Sequence, residues 1–190
     1  MKPLRLLTLF LLALSPLSLH AQLGLYGGFT VQNPGVPPAS GYQFYGGTFG
    51  AYLASGRLAI LNVGLDLRGS FTKSGSDSFN SGAIGPRIGL NLHVIPVHPY
   101  VEATAGLGNL NINETSTDIT RFEYQFLGGL DYTVFPRIDW RVAEFSYGGV
   151  SVFNGSYHPK TLTTGIVLRD RKSTRLNSSH DVISRMPSSA

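Results

Sequence analysis

The 190-residue sequence contains no cysteine, which excludes a disulfide framework, a thiolate metal centre and a cysteine nucleophile. Charged residues are scarce at 14%, and between Gln22 and Arg169 there are only two lysines, Lys73 and Lys160. The same region has no run of the ~18 apolar residues that a membrane-spanning helix needs. A basic surface is also lacking once the net charge of +4 is located along the chain. Lys2 and Arg5 carry two of those charges and residues 170–190 carry two more, while 22–169 holds nine basic and nine acidic residues. A neutral body removes nucleic acid from the expected partners.

The two ends read differently from the middle. Residues 1–21 combine Lys2 and Arg5, an apolar run from Leu6 to Leu14, and Pro16, Ser18 and Ala21. That is the layout of a secretory signal peptide, predicting cleavage after Ala21 and export. At the other end, DRKSTRLNSSHDVISRMPSSA from Asp170 to Ala190 has no glycine and no aromatic residue. Its DRKSTRLNSSH and SRMPSSA segments resemble, in that order, the translated halves of a common sequencing adapter. The expectation is therefore a non-native, disordered tail at 170–190, set aside from functional reasoning.

What is present in 22–169 is glycine, all 23 of the chain, and 20 of its 21 aromatic residues. They are arranged with period two. From Leu61 to Phe71 the odd positions are Leu, Val, Leu, Leu, Gly and Phe, while Asn62, Gly64, Asp66, Arg68 and Ser70 lie between them. Ile84 to Val94 alternates in the same way, with Gly85, Arg87, Gly89, Asn91 and His93 on the polar face. Phe122 to Val134 sets Glu123, Gln125, Asp131 and Thr133 against an aromatic face. These are strands with one apolar and one polar side. Weaker alternation marks Leu23–Gln32, Tyr42–Ala54, Tyr100–Asn113, Ile138–Phe153 and Leu162–Leu168, for eight strands in all. In Ile138–Phe153, Asp139 and Arg141 share a face that Glu144 does not, which points to a β-bulge near Val142 or Ala143.

The connections divide into two kinds. NPGVPPASG (33–41), SGSDSFN (74–80), ETSTD (114–118) and NGSYHP (154–159) read as polar loops. Ser55-Gly56, Ile95 to His98 and Pro136-Arg137 read as tight turns. Long loops at one end and short turns at the other are the asymmetry of membrane barrels.

Alternation alone does not say which face points inward, and a soluble lipocalin-like barrel around an apolar ligand is the rival. The polar face decides. Asp66, Arg68, Arg87, Asn91, Asp131, Asp139 and Arg141, with Arg121 and Glu123, are arginines, acids and amides rather than the lysine-rich set of a wetted surface. A lumen poor in water can hold such a set only if its charges are paired, because an unpaired buried charge costs several kcal/mol. Phe71, Phe122, Tyr124 and Phe153 toward the loop ends, and Tyr100, Tyr132, Phe135 and Trp140 toward the turn ends, read as two interfacial girdles.

In this pattern the chain resembles the small bacterial outer-membrane β-barrel proteins, the OmpA/OmpX-like group, over Gln22 to Arg169. The most specific part is the last strand, TLTTGIVLR, with Leu162, Thr164, Ile166 and Leu168 in the phase of the family's assembly signal. Family members end that phase on an aromatic residue, whereas the next in-phase position here is Asp170. The resemblance implies an eight-stranded antiparallel up-and-down transmembrane barrel in the outer membrane of a Gram-negative cell envelope. It also implies outer-membrane lipid, the barrel assembly machinery and periplasmic chaperones as partners, with no cofactor.

Catalytic and metal chemistry has little support. His93, on a polar strand face, and His98 bracket Pro96, which places them poorly as paired ligands, and His158 lies in a loop. Ser156, His158 and Glu144 form a weak catalytic candidate. YGGTFG (45–50) and GLGNL (106–110) precede no helix, so neither cradles phosphate. The expected function is a non-catalytic structural or surface-interaction barrel. The alternatives are a porin-like narrow pore through Asp66, Arg68, Arg87, Arg121, Glu123, Asp131 and Arg141, and the soluble carrier.

Overall fold

A computed structural model describes residues 22–35, 43–58, 60–92, 95–112, 117–152 and 155–170. The expected signal peptide and nearly all of the expected tail lie outside them, as do His93, Phe153 and Asn154. The strands are β1 (Gln22–Asn33), β2 (Phe44–Leu58), β3 (Leu61–Ser74), β4 (Asp77–Leu90), β5 (Val97–Ile112), β6 (Thr117–Phe135), β7 (Ile138–Val152), β8 (Gly155–Tyr157) and β9 (Lys160–Arg169). Every pairing is antiparallel, and β1–β9 together with β6–β7 close the sheet into a ring of eight strands. The short β8 is an appendage, hydrogen-bonded to the loop end of β7 beyond the start of β9.

Closure fixes the geometry of the interior. A row perpendicular to the strands leaves β3 at Lys73 and passes through Tyr45, Val31, Leu162, Phe145, Gly128, Val101 and Ile88. It re-enters β3 at Val63, ten residues from where it began. Eight strands with that stagger are strongly tilted and leave an interior only as wide as the side chains that fill it.

The alternation then sorts the two sides. Leu65, Leu67, Ile84, Ile88, Val101, Leu107, Phe126, Phe145, Ile166 and Leu168 point outward, with Phe126 61% exposed. Asp66, Arg68, Arg87, Glu102, Glu123, Asp131 and Arg141 point inward, and Asp66, Glu123 and Asp131 are fully buried. A continuous apolar belt around a polar interior is the inverse of a soluble barrel and is stable only in lipid. The lipocalin-like reading therefore fails on orientation.

Three local features depart from the sequence expectations. SGSDSFN is not a loop: β3 continues to Ser74, and Gly75, at φ 59°, lets the chain turn in two residues. The hairpin pays off in packing, because Phe79 reaches the interior and Thr72 Oγ1 donates to the Phe79 carbonyl at 2.9 Å. The expected tight turn at Ile95 to His98 is instead a connection from 91 to 96, and β2 runs through Ser55-Gly56 to Leu58 with a register shift there. Loop and turn ends therefore differ less in length than the sequence implied.

The bulge falls where the sequence placed it. Leu130 pairs with Ala143 and Asp131 with Arg141, so Val142 is the extra residue, and the β7–β9 register shifts between Arg141 and Glu144. Thr164, on the lipid-facing side of β9, donates to the Arg141 carbonyl at 3.0 Å. A hydroxyl on the apolar wall thus satisfies a backbone acceptor next to the irregularity.

Candidate functional site: the barrel lumen

The one-residue slip at Val142 brings both Arg141 and Glu144 to the inner face, and with them a cyclic ion network closes. Arg87 Nη1 meets Glu102 Oε1 at 2.6 Å and Arg87 Nη2 meets Asp131 Oδ2 at 3.1 Å. Arg141 bridges Asp131 Oδ1 at 3.1 Å and Glu144 Oε2 at 2.9 Å. Arg68 grips both oxygens of Glu144 at 3.0 Å and approaches Glu102 Oε2 at 3.4 Å. Three arginines and three carboxylates therefore alternate around a closed loop that crosses the lumen from β3 to β7. Asp66 attaches to Arg68 at 3.4 Å, and Arg169 attaches to Asp131 at 3.4 Å and to Asp139.

Inward tyrosines hold the guanidinium planes. Arg87 lies 3.7 Å from the Tyr100 ring centroid and 4.2 Å from that of Tyr52, and Arg141 lies 4.1 Å from that of Tyr26. The hydroxyls complete the network: Tyr100 donates to Glu144 Oε2 at 2.6 Å and Tyr26 to Asp66 Oδ1 at 2.8 Å. All three rings need glycine beside them, since a Cβ at Gly50, Gly24 or Gly129 would collide with the hydroxyl-bearing ring carbon of Tyr26, Tyr52 or Tyr100. The assignment of Tyr100 to an interfacial girdle is thus corrected. It shares the inward phase of Glu102, while Val101 takes the lipid face.

Above this network the lumen changes character. Thr30 shares hydrogen bonds with Thr48 at 2.7 Å and Thr163 at 3.0 Å, and Thr48 with Ser70 at 2.8 Å, forming a hydroxyl layer. Higher still, Phe44, Phe79, Leu110 and Val150 pack together inside the barrel with Ile112 and Tyr157. This apolar cap fills the loop end. At the turn end a cavity of about 30 Å³, bounded by Tyr52, Arg87, His98, Tyr100 and Arg169, has room for a water or two.

Five of the seven residues expected to line a charged lumen belong to the network: Asp66, Arg68, Arg87, Asp131 and Arg141. Glu123 is buried higher up, beside Phe79 at Gly108, and accepts from Gln125 Nε2 at 2.6 Å. Arg121 is higher again, with Nη1 donating to the Thr120 carbonyl at 3.1 Å. Ten residues of strand, roughly 33 Å, separate Arg121 from Asp131, so the two cannot share one cluster. The sequence reading did not name Glu102, Tyr26, Tyr52 or Arg169. Glu102 and Tyr100 were both recoverable from the phase of Val101, Ala103, Ala105 and Leu107 on the opposite face.

The catalytic candidates do not converge. Glu144 lies within the ion network, whereas His158 stacks on the outward Tyr147 with ring centroids 5.6 Å apart, on the other side of the wall. The Ser156 side chain lies outside the described residues. His98 Nε2 meets Thr133 Oγ1 at 3.0 Å, and no group of three or more metal-ligating side chains occurs among the described residues.

The closed ring, its stagger and its inverted faces decide the architecture. The fold is that of the small outer-membrane β-barrels. Neisserial surface protein A matches at a TM-score of 0.51 and 18% identity, covering 78% of this chain and 96% of its own. The N-terminal barrel of Pseudomonas aeruginosa OprF matches at 0.51 and 18%, covering 80% and 98%. Ail of Yersinia pestis, solved with the heparin analogue sucrose octasulfate, matches at 0.51 and 12%, covering 80% and 100%. No protein-family profile matches the sequence, and no curated protein matches it. In the outer-membrane barrel frame, Leu162, Ile166 and Leu168 are lipid-facing positions of the last strand, and the Asp170 amide extends its ladder by donating to the Leu23 carbonyl at 2.9 Å.

Proposed function

We propose that this chain is an outer-membrane barrel with a structural or surface-directed role and no catalysis, its lumen serving as a packed core rather than a conduit. The observation that carries this is the filling of the lumen by two different closures in series, the cyclic ion network toward the turn end and the apolar cap toward the loop end. Solvated access along the barrel axis would require both to rearrange. Outer-membrane lipid is the partner of the belt, and the barrel assembly machinery and periplasmic chaperones are the partners of biogenesis, engaged through the Leu162, Thr164, Ile166 and Leu168 strand. The purified barrel, reconstituted into planar bilayers, is expected to give no unitary conductance. Reproducible discrete openings would overturn the reading in favour of a narrow pore.

A further inference from the structure

The chain has four glutamines, and the side chains of three are engaged. Gln32 Oε1 accepts from Thr72 Oγ1 at 3.1 Å, Gln43 Oε1 accepts from the Tyr45 hydroxyl at 2.7 Å, and Gln125 Nε2 donates to Glu123 at 2.6 Å. The side-chain amide of Gln22 makes no hydrogen bond among the described residues. Gln22 opens β1 in register with Ala54 and shares the inward phase of Gly24 and Tyr26. That phase places it in the wall of the turn-end cavity, whose lining includes Arg87, His98 and Arg169 and no carboxylate. The acids that pair with the two arginines, Glu102, Asp131 and Asp139, are outside that lining.

The layout of residues 1–21 predicts a cut after Ala21, which turns the Gln22 nitrogen into a free α-amine. We infer that Gln22 is a modification site, and that the exported chain begins with a pyroglutamyl residue. The amine nitrogen attacks the side-chain carbonyl carbon, and the new C–N bond closes a lactam. The bond from that carbon to the side-chain nitrogen breaks, and ammonia leaves with the proton that the amine gives up. No oxidant, reductant or other co-reactant is consumed, and both reacting groups belong to one residue, so little freedom is lost on closure. Two features of the fold favour the ring over the open form. The carboxamide has no partner to hold it away from the amine. An α-ammonium ion at this place would face Arg87 and Arg169 with no acid in the lining, whereas the lactam is neutral. The strand that closes the barrel then starts without a free amine. This rests on the exported, outer-membrane reading above.

The test uses the full gene with its own leader, expressed in a Gram-negative host. Heat-dependent migration of the membrane-fraction protein first establishes the folded barrel; failure there sinks the outer-membrane reading itself. An isotope-labelled peptide of the same N-terminal sequence, carrying free Gln, is added at lysis, and mass spectrometry then reads both termini. Most wild-type molecules are expected to start at residue 22 and to be lighter by one ammonia than the free-Gln form, while the added peptide stays open. Gln22→Asn, whose shorter side chain cannot close an unstrained ring, is expected to keep an amine that labels fully with an amine-directed reagent. A wild-type terminus that is mostly free Gln, a start at any other residue, equal cyclisation of the added peptide, or a blocked Asn variant would each overturn the inference while leaving the barrel intact. If the Asn variant exports poorly, the wild-type terminus and the added peptide decide the matter.

Discussion

The two ends of the lumen close the same tube by opposite physics. Toward the turns, three arginines and three carboxylates satisfy one another in a cycle, with tyrosine rings on the guanidinium faces. Toward the loops, Phe44, Phe79, Leu110 and Val150 exclude water by packing alone. An ion cycle is specific but unforgiving, since each member is tolerable only while its partners remain. An apolar cap is less particular, because aliphatic and aromatic groups of similar volume replace one another at modest cost. The lower half should therefore be sensitive to chemistry and the upper half to volume.

Substitutions can break that contrast in order of size. Arg141→Met keeps bulk but leaves Asp131 and Glu144 short of a cation, and is expected to lower stability by about 3–4 kcal/mol in denaturant titration from lipid vesicles. Adding Glu144→Gln should return part of that loss, and a cost under ~1 kcal/mol for the single variant would show that the cycle does not act as a unit. Phe79→Ala opens a cavity at the other end and is expected to cost about 3 kcal/mol, whereas Phe79→Leu should cost about 1. If the leucine variant is as damaging as the alanine variant, the cap depends on more than volume. The smallest effect belongs to the wall between them: Thr164→Val removes the donor to the Arg141 carbonyl and should cost about 1 kcal/mol. Stability unchanged in that variant would mean that the carbonyl finds another partner.

Much of this was legible in the sequence because a barrel wall repeats every two residues, and polar and apolar phases in β3, β4 and β6 are clean. The bulge was legible for the same reason, as Glu144 broke phase with Asp139 and Arg141. What escaped was everything set by register between strands. Arg121, Glu123 and Asp131 share one phase of β6, and only the stagger of neighbouring strands says which of them meets an arginine. The girdle assignment of Tyr100 failed because an aromatic residue fits both a lipid interface and a cation face, and composition cannot separate the two. The turn at Gly75 was hidden because its polar neighbours, which lengthen the β3–β4 hairpin, look like those of a loop.

All six members of the ion cycle come from β3 to β7; β1, β2 and β9 supply none of them. A five-stranded sheet can therefore form the whole cycle before the first and last strands meet. Because Arg68 and Glu144 sit four strands apart, joining them bends that sheet through half a circle. The cycle is in this sense a former for curvature: it sets the radius to which the remaining strands must conform, and leaves the β1–β9 seam to be sewn by backbone hydrogen bonds and the Thr30–Thr163 hydroxyl pair.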